Sequence, residues 1–429
     1  MARKRFLRLS TCALALLVAG YVTPGRAETT LTMWSMGGDQ PKWVDWMSFL
    51  VDKFEKKNPG AKVKVTWYEK TALSAALKTA LRAGQGPDII YGEPDQSEYA
   101  DAGYLMPLDS HANWQNIEPW ARVAWSSKGH SWGIPISAYT NEIYYNKDLM
   151  KKLGVTIPSS GQVSQAEFLT IIKKAAAAGI TPIALGTGDR PFPGAYLSFE
   201  PMLRKLGPQD YRKLLEGEIS YSDTRVVQVL KYVKEIIDAG ALPKTFSTMT
   251  LTDSYAYFYT KPGGLLYPQG TWYAGRAFAP PDKGGQPAGF PLGIMNFPAM
   301  DGGACNECKT LAVGGGYSIN ADTKQRATAV AFMNEMATPE MGTRWVSSSY
   351  RQSGIKSDPS AIIGSQKAYF EELMALNKNA TFFVGIPLDY VKGQCRETFI
   401  QVVNVAFPAG LIGVDETIKR MNAACYKGR

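Results

Sequence analysis

The sequence predicts an α/β fold of two doubly wound lobes joined by crossing strands. Three observations carry that expectation. Strand-like and helix-like segments alternate from Thr30 onward, the alternation resumes at Phe168, and no low-complexity run or flexible linker separates the two stretches. At 429 residues a single hydrophobic core is not expected, so the chain should divide into two units. Without a linker, strands that cross between the lobes are expected to join them.

The elements follow in order. Thr30 to Trp34 is a β-prone run ended by Gly37-Gly38-Asp39. Trp43, Trp46, Met47, Leu50, Val51 and Phe54 then recur at helical spacing, until Asn58-Pro59-Gly60 stops the helix. Lys62 to Trp67 alternates as a second strand. Leu73, Ala76, Leu77, Ala80 and Leu81 mark a second helix, ended by Gly84, and Asp88 to Tyr91 reads as a third, buried strand. Strand–helix–strand–helix–strand predicts a parallel sheet. Further along, Phe168, Ile171, Ile172 and Ala175 define a helix before a strand at Ile183–Leu185. Val226, Val229, Leu230, Val233, Ile236 and Ile237 define another. Gly264–Tyr267 and Gly293–Phe297 read as strands, and Ala327–Met336 as a helix.

Residues 1–27 have the form of a cleaved secretory signal. A basic start (Arg3, Lys4, Arg5, Arg8) precedes an apolar stretch from Cys12 to Val22, with Gly25 and Ala27 as the small residues before Glu28. The apolar stretch is well short of the ~20 residues that span a bilayer. The leader also carries much of the positive charge. Of 47 basic residues, 5 lie within it, leaving 42 against 38 acidic ones. That balance, with no Lys/Arg-rich run, argues against nucleic-acid binding. Beyond the leader four cysteines remain, Cys305, Cys308, Cys395 and Cys425. An even number outside the cytoplasm predicts two disulfides. Of three connectivities we favour Cys305–Cys308, close together in a Gly-rich loop, and Cys395–Cys425, which would tie down the C-terminal segment. A four-thiolate zinc site has less support, because only one CxxC pair exists.

Most catalytic signatures are missing. His111 and His130 form no HExxH pattern, and neither a GxSxG elbow nor a Walker loop is present. Gly84-Gln85-Gly86 precedes a strand instead of opening a helix, so it is no dinucleotide fingerprint. No cofactor or metal is predicted. A paired-carboxylate glycoside-acting enzyme stays open, because its two acids can come from anywhere in the chain. Against it stands a surplus of aromatics beside small-residue turns at predicted strand ends. Sugars need amides or carboxylates for their hydroxyls and flat rings for their CH faces. Three places qualify: Trp34 to Asp39, Tyr91 to Asp95 with Glu93 between, and Gln269 to Trp272.

These segments resemble the carbohydrate-binding family of extracellular solute-binding proteins of ABC importers. The likeness runs through Leu50–Pro59, Gly86-Pro87-Asp88-Ile89-Ile90, Gly133-Ile134-Pro135 followed by Tyr144–Leu149, Gly270-Thr271-Trp272, and Gly314–Ile319, in that order. The resemblance implies a periplasmic-binding-protein type II fold, with an N-lobe at 28–137 and 311–345 and a C-lobe at 138–310 and 346–429. It further implies a monomer in the periplasm that closes on a mono- or oligosaccharide and delivers it to membrane permease subunits. A polyol or glycerol phosphate remains an alternative ligand. Gly133-Ile134-Pro135 and Gly314–Gly316 are expected as hinge crossings, the glycines supplying backbone freedom, and Gly315 is also expected among the ligand-binding residues. By the same resemblance Asp39 and Asp95 hold hydroxyls, Tyr139 and Asn141 touch sugar from the hinge, and Asp189 and Phe192 face the ligand. Trp272 stacks on it, and Arg351 lies near the last crossing. Gly92 stands where maltose-binding relatives carry a Trp, which makes a maltodextrin ligand doubtful.

Overall fold

The computed structural model describes residues 28–93, 97–189, 192–260, 263–361 and 366–428. The expected secretory leader and Asp95 lie outside them. The first strand β1 (Thr29–Met36) buries Leu31, Met33 and Ser35 and exposes Thr30 and Thr32, the period of a strand covered on one face. The helix Pro41–Lys57 begins on a proline whose missing N–H would have no partner there, buries Trp43, Trp46, Met47, Leu50 and Phe54, and ends in Lys56-Lys57. β2 (Ala61–Tyr68), the helix Lys70–Arg82 and β3 (Ile89–Gly92) follow. β1 pairs in parallel with both β2 and β3, as the alternation predicts.

A small hairpin, β4 (Ser126–Ser127) and β5 (His130–Ser131), leads into β6, a 13-residue strand from Ile134 to Asn146. β7 (Thr181–Ile183), β8 (Gly264–Gly270), β9 (Leu292–Met295), β10 (Cys308–Ile319) and β11 (Thr381–Val384) complete the set. The main order is β2-β1-β3-β10-β6-β8-β7, with β11 on β10 and β9 on β6. β10 runs antiparallel to β3 and β6, and β6 antiparallel to β8 and β9, so the architecture is mixed rather than parallel throughout.

The two long strands explain how one chain makes two lobes. The Gly316–Ile319 end of β10 pairs with β3, and its Cys308–Leu311 end pairs with β11. β6 likewise lies on β10 up to Thr140 and on β8 from Asn141. A third passage joins them where Gln352 bridges Ala138. Two apolar clusters sit at the two ends. One gathers Leu31 through Ile136 with Val313 through Trp345 and Ile355. The other gathers Ile143 through Cys308 with Val346 and Tyr369 through Cys425.

Gly314–Gly316 have a steric role besides the expected one. None of the three has a positive φ. They lie inside β10, where the pairing with β6 shifts register at Gly315. They are small because neighbours press on them: a Cβ on Gly315 would meet the Tyr91 hydroxyl at 2.3 Å, and one on Gly316 the Ile134 carbonyl at 2.4 Å. In this conformation close approach accounts for Gly315 and Gly316.

Both cysteine pairs are joined as favoured, Cys305–Cys308 with S–S 1.97 Å and Cys395–Cys425 with S–S 2.06 Å. The second ties the helix Gly393–Gln401 to the last helix, Val414–Cys425. Thiol titration of the denatured chain beginning at Glu28 is therefore expected to find no reactive thiol. Two or four would show that a bridge is absent. Among the described residues no helix is long and apolar enough to cross a membrane.

Candidate ligand-binding site

The strand ends that meet between the two apolar clusters place several of the expected residues side by side. Tyr139, on β6, meets the indole of Trp272 edge to face, with ring centroids 4.4 Å apart and planes at 89°. On its other side Tyr139 lies against Gly314, whose added Cβ would touch the ring at 3.1 Å. Trp272 opens the short helix Trp272–Ala277 directly after β8. Its ring folds back over Gly270, where a Cβ would sit 1.8 Å from the indole. The Gly-Thr-Trp turn thus has a steric reason: only glycine leaves room for the indole against the strand end. Trp272 is half-buried, neither a core residue nor a free one.

Arg351 is 8% exposed and lies beneath this corner. It donates to the Trp272 carbonyl at 3.4 Å and to Gln40 Oε1, on the loop after β1, at 3.0 Å. Burial, helped by the nearby charge of Arg276, pushes its guanidinium down to about 10, so it stays cationic at neutral pH. Asp39, two residues past Gly37 and exposed, pairs with Arg276 at 3.0 Å. The loop after β1 is therefore tied to the helix Trp272–Ala277 directly by the exposed Asp39–Arg276 pair and indirectly through Arg351, which bonds both Gln40 and the Trp272 carbonyl. The exposed pair contributes little by itself.

Next to this corner, Tyr91 reaches the Gly314 carbonyl at 3.3 Å and Glu93 Oε1 at 3.4 Å. Glu93 and Gly315 thereby share one neighbour, the Tyr91 ring. Asn141, buried on β6, donates to Glu200 Oε1 at 2.8 Å, and Arg204 donates to Glu200 Oε2 at 3.0 Å. Behind these lies a second buried cluster. Lys309 donates to Glu142 Oε1 at 2.7 Å, Thr140 donates to the same oxygen at 2.6 Å, and Asn377 accepts from Lys309. Burial pushes the Lys309 ammonium down, and the Glu142 carboxylate opposes that. Among the described residues no group of three or more His, Cys, Asp or Glu side chains is placed to hold a metal ion.

The structure leaves other expected residues elsewhere. Trp34 is inside β1, not beyond its end, because the strand continues to Met36; its ring rests on Tyr68 at 5.1 Å. Asp189 accepts from the Leu251 N–H at 2.7 Å, so it caps the start of the helix Leu251–Tyr259. Phe192 opens a 3₁₀ turn, Phe192–Ala195, and its side chain lies outside the description. Gln40, Glu200 and Arg276 were not singled out from the sequence, and Tyr91 was taken only as part of the segment after the third strand. Glu200 alone carried a signal there, as a carboxylate inside the apolar run Tyr196–Leu203. Arg276 could be found only from its spacing of four residues from Trp272.

Known proteins share this architecture. A chitin oligosaccharide binding protein superposes with TM-score 0.78 at 21% identity, covering 92% of this chain and 98% of that one. At that identity the likeness concerns fold, and these neighbours are two-lobed sugar-binding proteins of the type II periplasmic class. In sequence, a multiple sugar-binding protein of Streptococcus mutans is 26% identical over 299 residues, 67% of each chain. An uncharacterized ABC transporter extracellular-binding protein of Pyrococcus horikoshii is 30% identical over 215 residues, so the chain spans about half the length of that relative. The family model of bacterial extracellular solute-binding proteins matches residues 40–343, from the loop after β1 through both shared strands and into the second helix beyond β10, Pro339–Ser349. A match that takes in most of the chain and both of the strands joining its lobes makes this protein a member of the bacterial extracellular solute-binding protein family.

Proposed function

We propose that this chain captures a sugar between its lobes, outside the cytoplasm, and delivers it unchanged to the permease of an ABC importer. The observation that carries the reading is the Tyr139–Trp272 corner. It is an aromatic angle at the junction of the shared strands, flanked by the polar groups of Asp39, Asn141 and Arg351. Rings of this kind cover the CH faces of a sugar while amides and charged groups hold its hydroxyls. The likeness to a multiple sugar-binding protein and to a maltotriose-binding protein of Pyrococcus abyssi supports the same ligand class. A phosphorylated ligand has less support, because Asp39 already neutralises Arg276.

The binding unit is a monomer with lobes at 28–137 with 311–345 and at 138–310 with 346–429. The segment ending at Ile355 packs back onto the first core, so the last boundary is blurred. Closure rotates the lobes about β6, β10 and the passage at Gln352. A thermal-shift screen over sugars and polyols is expected to raise the melting temperature with a sugar. Mass spectrometry should recover that sugar intact, and small-angle scattering at saturation should give a smaller radius of gyration. A panel without any stabilising sugar, or a ligand recovered cleaved, would overturn the proposal.

A further inference from the structure

Below Tyr139 and Asn141, on the side of the second core, lies a cavity of about 40 Å³. Most of its wall is apolar, formed by Phe199, Phe399 and the turn at Ile386–Leu388 among others. Some of the residues that line it nonetheless carry buried polar atoms without partners. Asn404 is 1% exposed, and both its amide nitrogen and its amide oxygen are buried with no hydrogen bond. The Asn141 carbonyl oxygen and the Tyr211 hydroxyl, which belong to lining residues, are in the same condition. Buried polar atoms are normally paired, and four unpaired ones on residues that line one cavity set it apart from the rest of the core.

The backbone here is unusual as well. Asn404 sits in a π-helical turn, Val402–Ala406, that continues the helix Gly393–Gln401, and such turns recur at functional sites. The turn is pressed against Gly194, where a Cβ would meet the Asn404 carbonyl at 1.8 Å. Asn404 is therefore held in place from behind. The volume exceeds the ~10–15 Å³ that admits one water, yet it is small for a sugar ring.

We infer that this cavity is a selectivity pocket that receives one compact, neutral substituent of the bound sugar, the hydroxymethyl arm of a hexose. The inference rests on the proposed sugar capture, and Tyr139 and Asn141 belong both to the corner described above and to this cavity. Asn404 offers one donor and one acceptor, which a hydroxyl can answer with its own acceptor and donor. An anionic arm does not fit. It would face the Asn141 carbonyl oxygen and the Glu200 carboxylate, which also lines the pocket.

The test uses isothermal titration calorimetry with hexoses and the matching pentoses that lack the hydroxymethyl arm. The parent protein is expected to favour a hexose over its pentose by about tenfold or more. Asn404→Leu, similar in size but without the amide, should abolish that preference by weakening the hexose alone. Tyr211→Phe, which deletes only a hydroxyl, should narrow the preference in the same direction and serves if Asn404→Leu does not fold. Unchanged discrimination in a folded variant would mean that the cavity holds only water, and would overturn the inference while leaving sugar capture intact. A parent protein that binds no sugar would remove both.

Discussion

Replacing Trp272 with alanine is expected to weaken binding of the cognate sugar by roughly thirty-fold or more, which corresponds to the ~2 kcal/mol that loss of an aromatic anchor typically costs. The indole stands at the end of β8, turned back over Gly270 and set at right angles to Tyr139. Protein covers part of the indole, and the part left accessible is what a sugar ring would cover. Because Trp272 is only half-buried, the melting temperature of the empty protein should change little, whereas the ligand-induced rise should shrink sharply. Calorimetry and a thermal melt on the same variant separate the two roles. Parent-like affinity would end the stacking role, and a large loss of stability in the empty protein would make Trp272 a core residue.

Lys309→Met is expected to destabilise the protein by about 3–5 kcal/mol, the usual cost of removing one partner of a buried ion pair. Lys309 is 1% exposed and Glu142 is fully buried. They sit on β10 and β6, the two strands that both lobes share, just beyond the point where β6 leaves β10 for β8. Without the ammonium, the Glu142 carboxylate keeps the Thr140 hydroxyl and, as counter-charge, only the Arg204 guanidinium, which is already bonded to Glu200. Substituting both residues, Glu142→Leu with Lys309→Met, should recover most of the loss, since an apolar pair of similar volume removes the stranded charge. Urea denaturation of the parent, both single variants and the double variant measures the coupling directly. A single substitution that costs under ~1 kcal/mol would show that the pair does not hold the shared strands.

Local patterning was enough for much of the fold. The face of Trp43, Trp46, Met47, Leu50 and Phe54 and the alternation in β1 announce their elements, because burial on one face imposes a period that residues close in the chain display. The parallel β2-β1-β3 unit follows from strand–helix alternation, and the two disulfides from an even cysteine count and chain position. The helix Tyr196–Leu215 was hidden by Pro201 and by Gly207-Pro208, where the backbone leaves the helical region inside the element.

The site was less legible, because its contacts join residues remote in the chain. Tyr91 meets Gly314 across 223 positions, Arg351 meets Gln40 across 311, and Asn141 meets Glu200 across 59. Asp39 and Trp272 could be chosen from the sequence because loops beyond strand ends carry ligands in such folds. Nothing in the linear order reveals that Asp39 is paired with Arg276 or that Asp189 caps a helix. Hydrophobic period records which side of an element is buried. Which polar groups then face one another depends on strand register, and register is set only when β6 and β10 pair between the two cores.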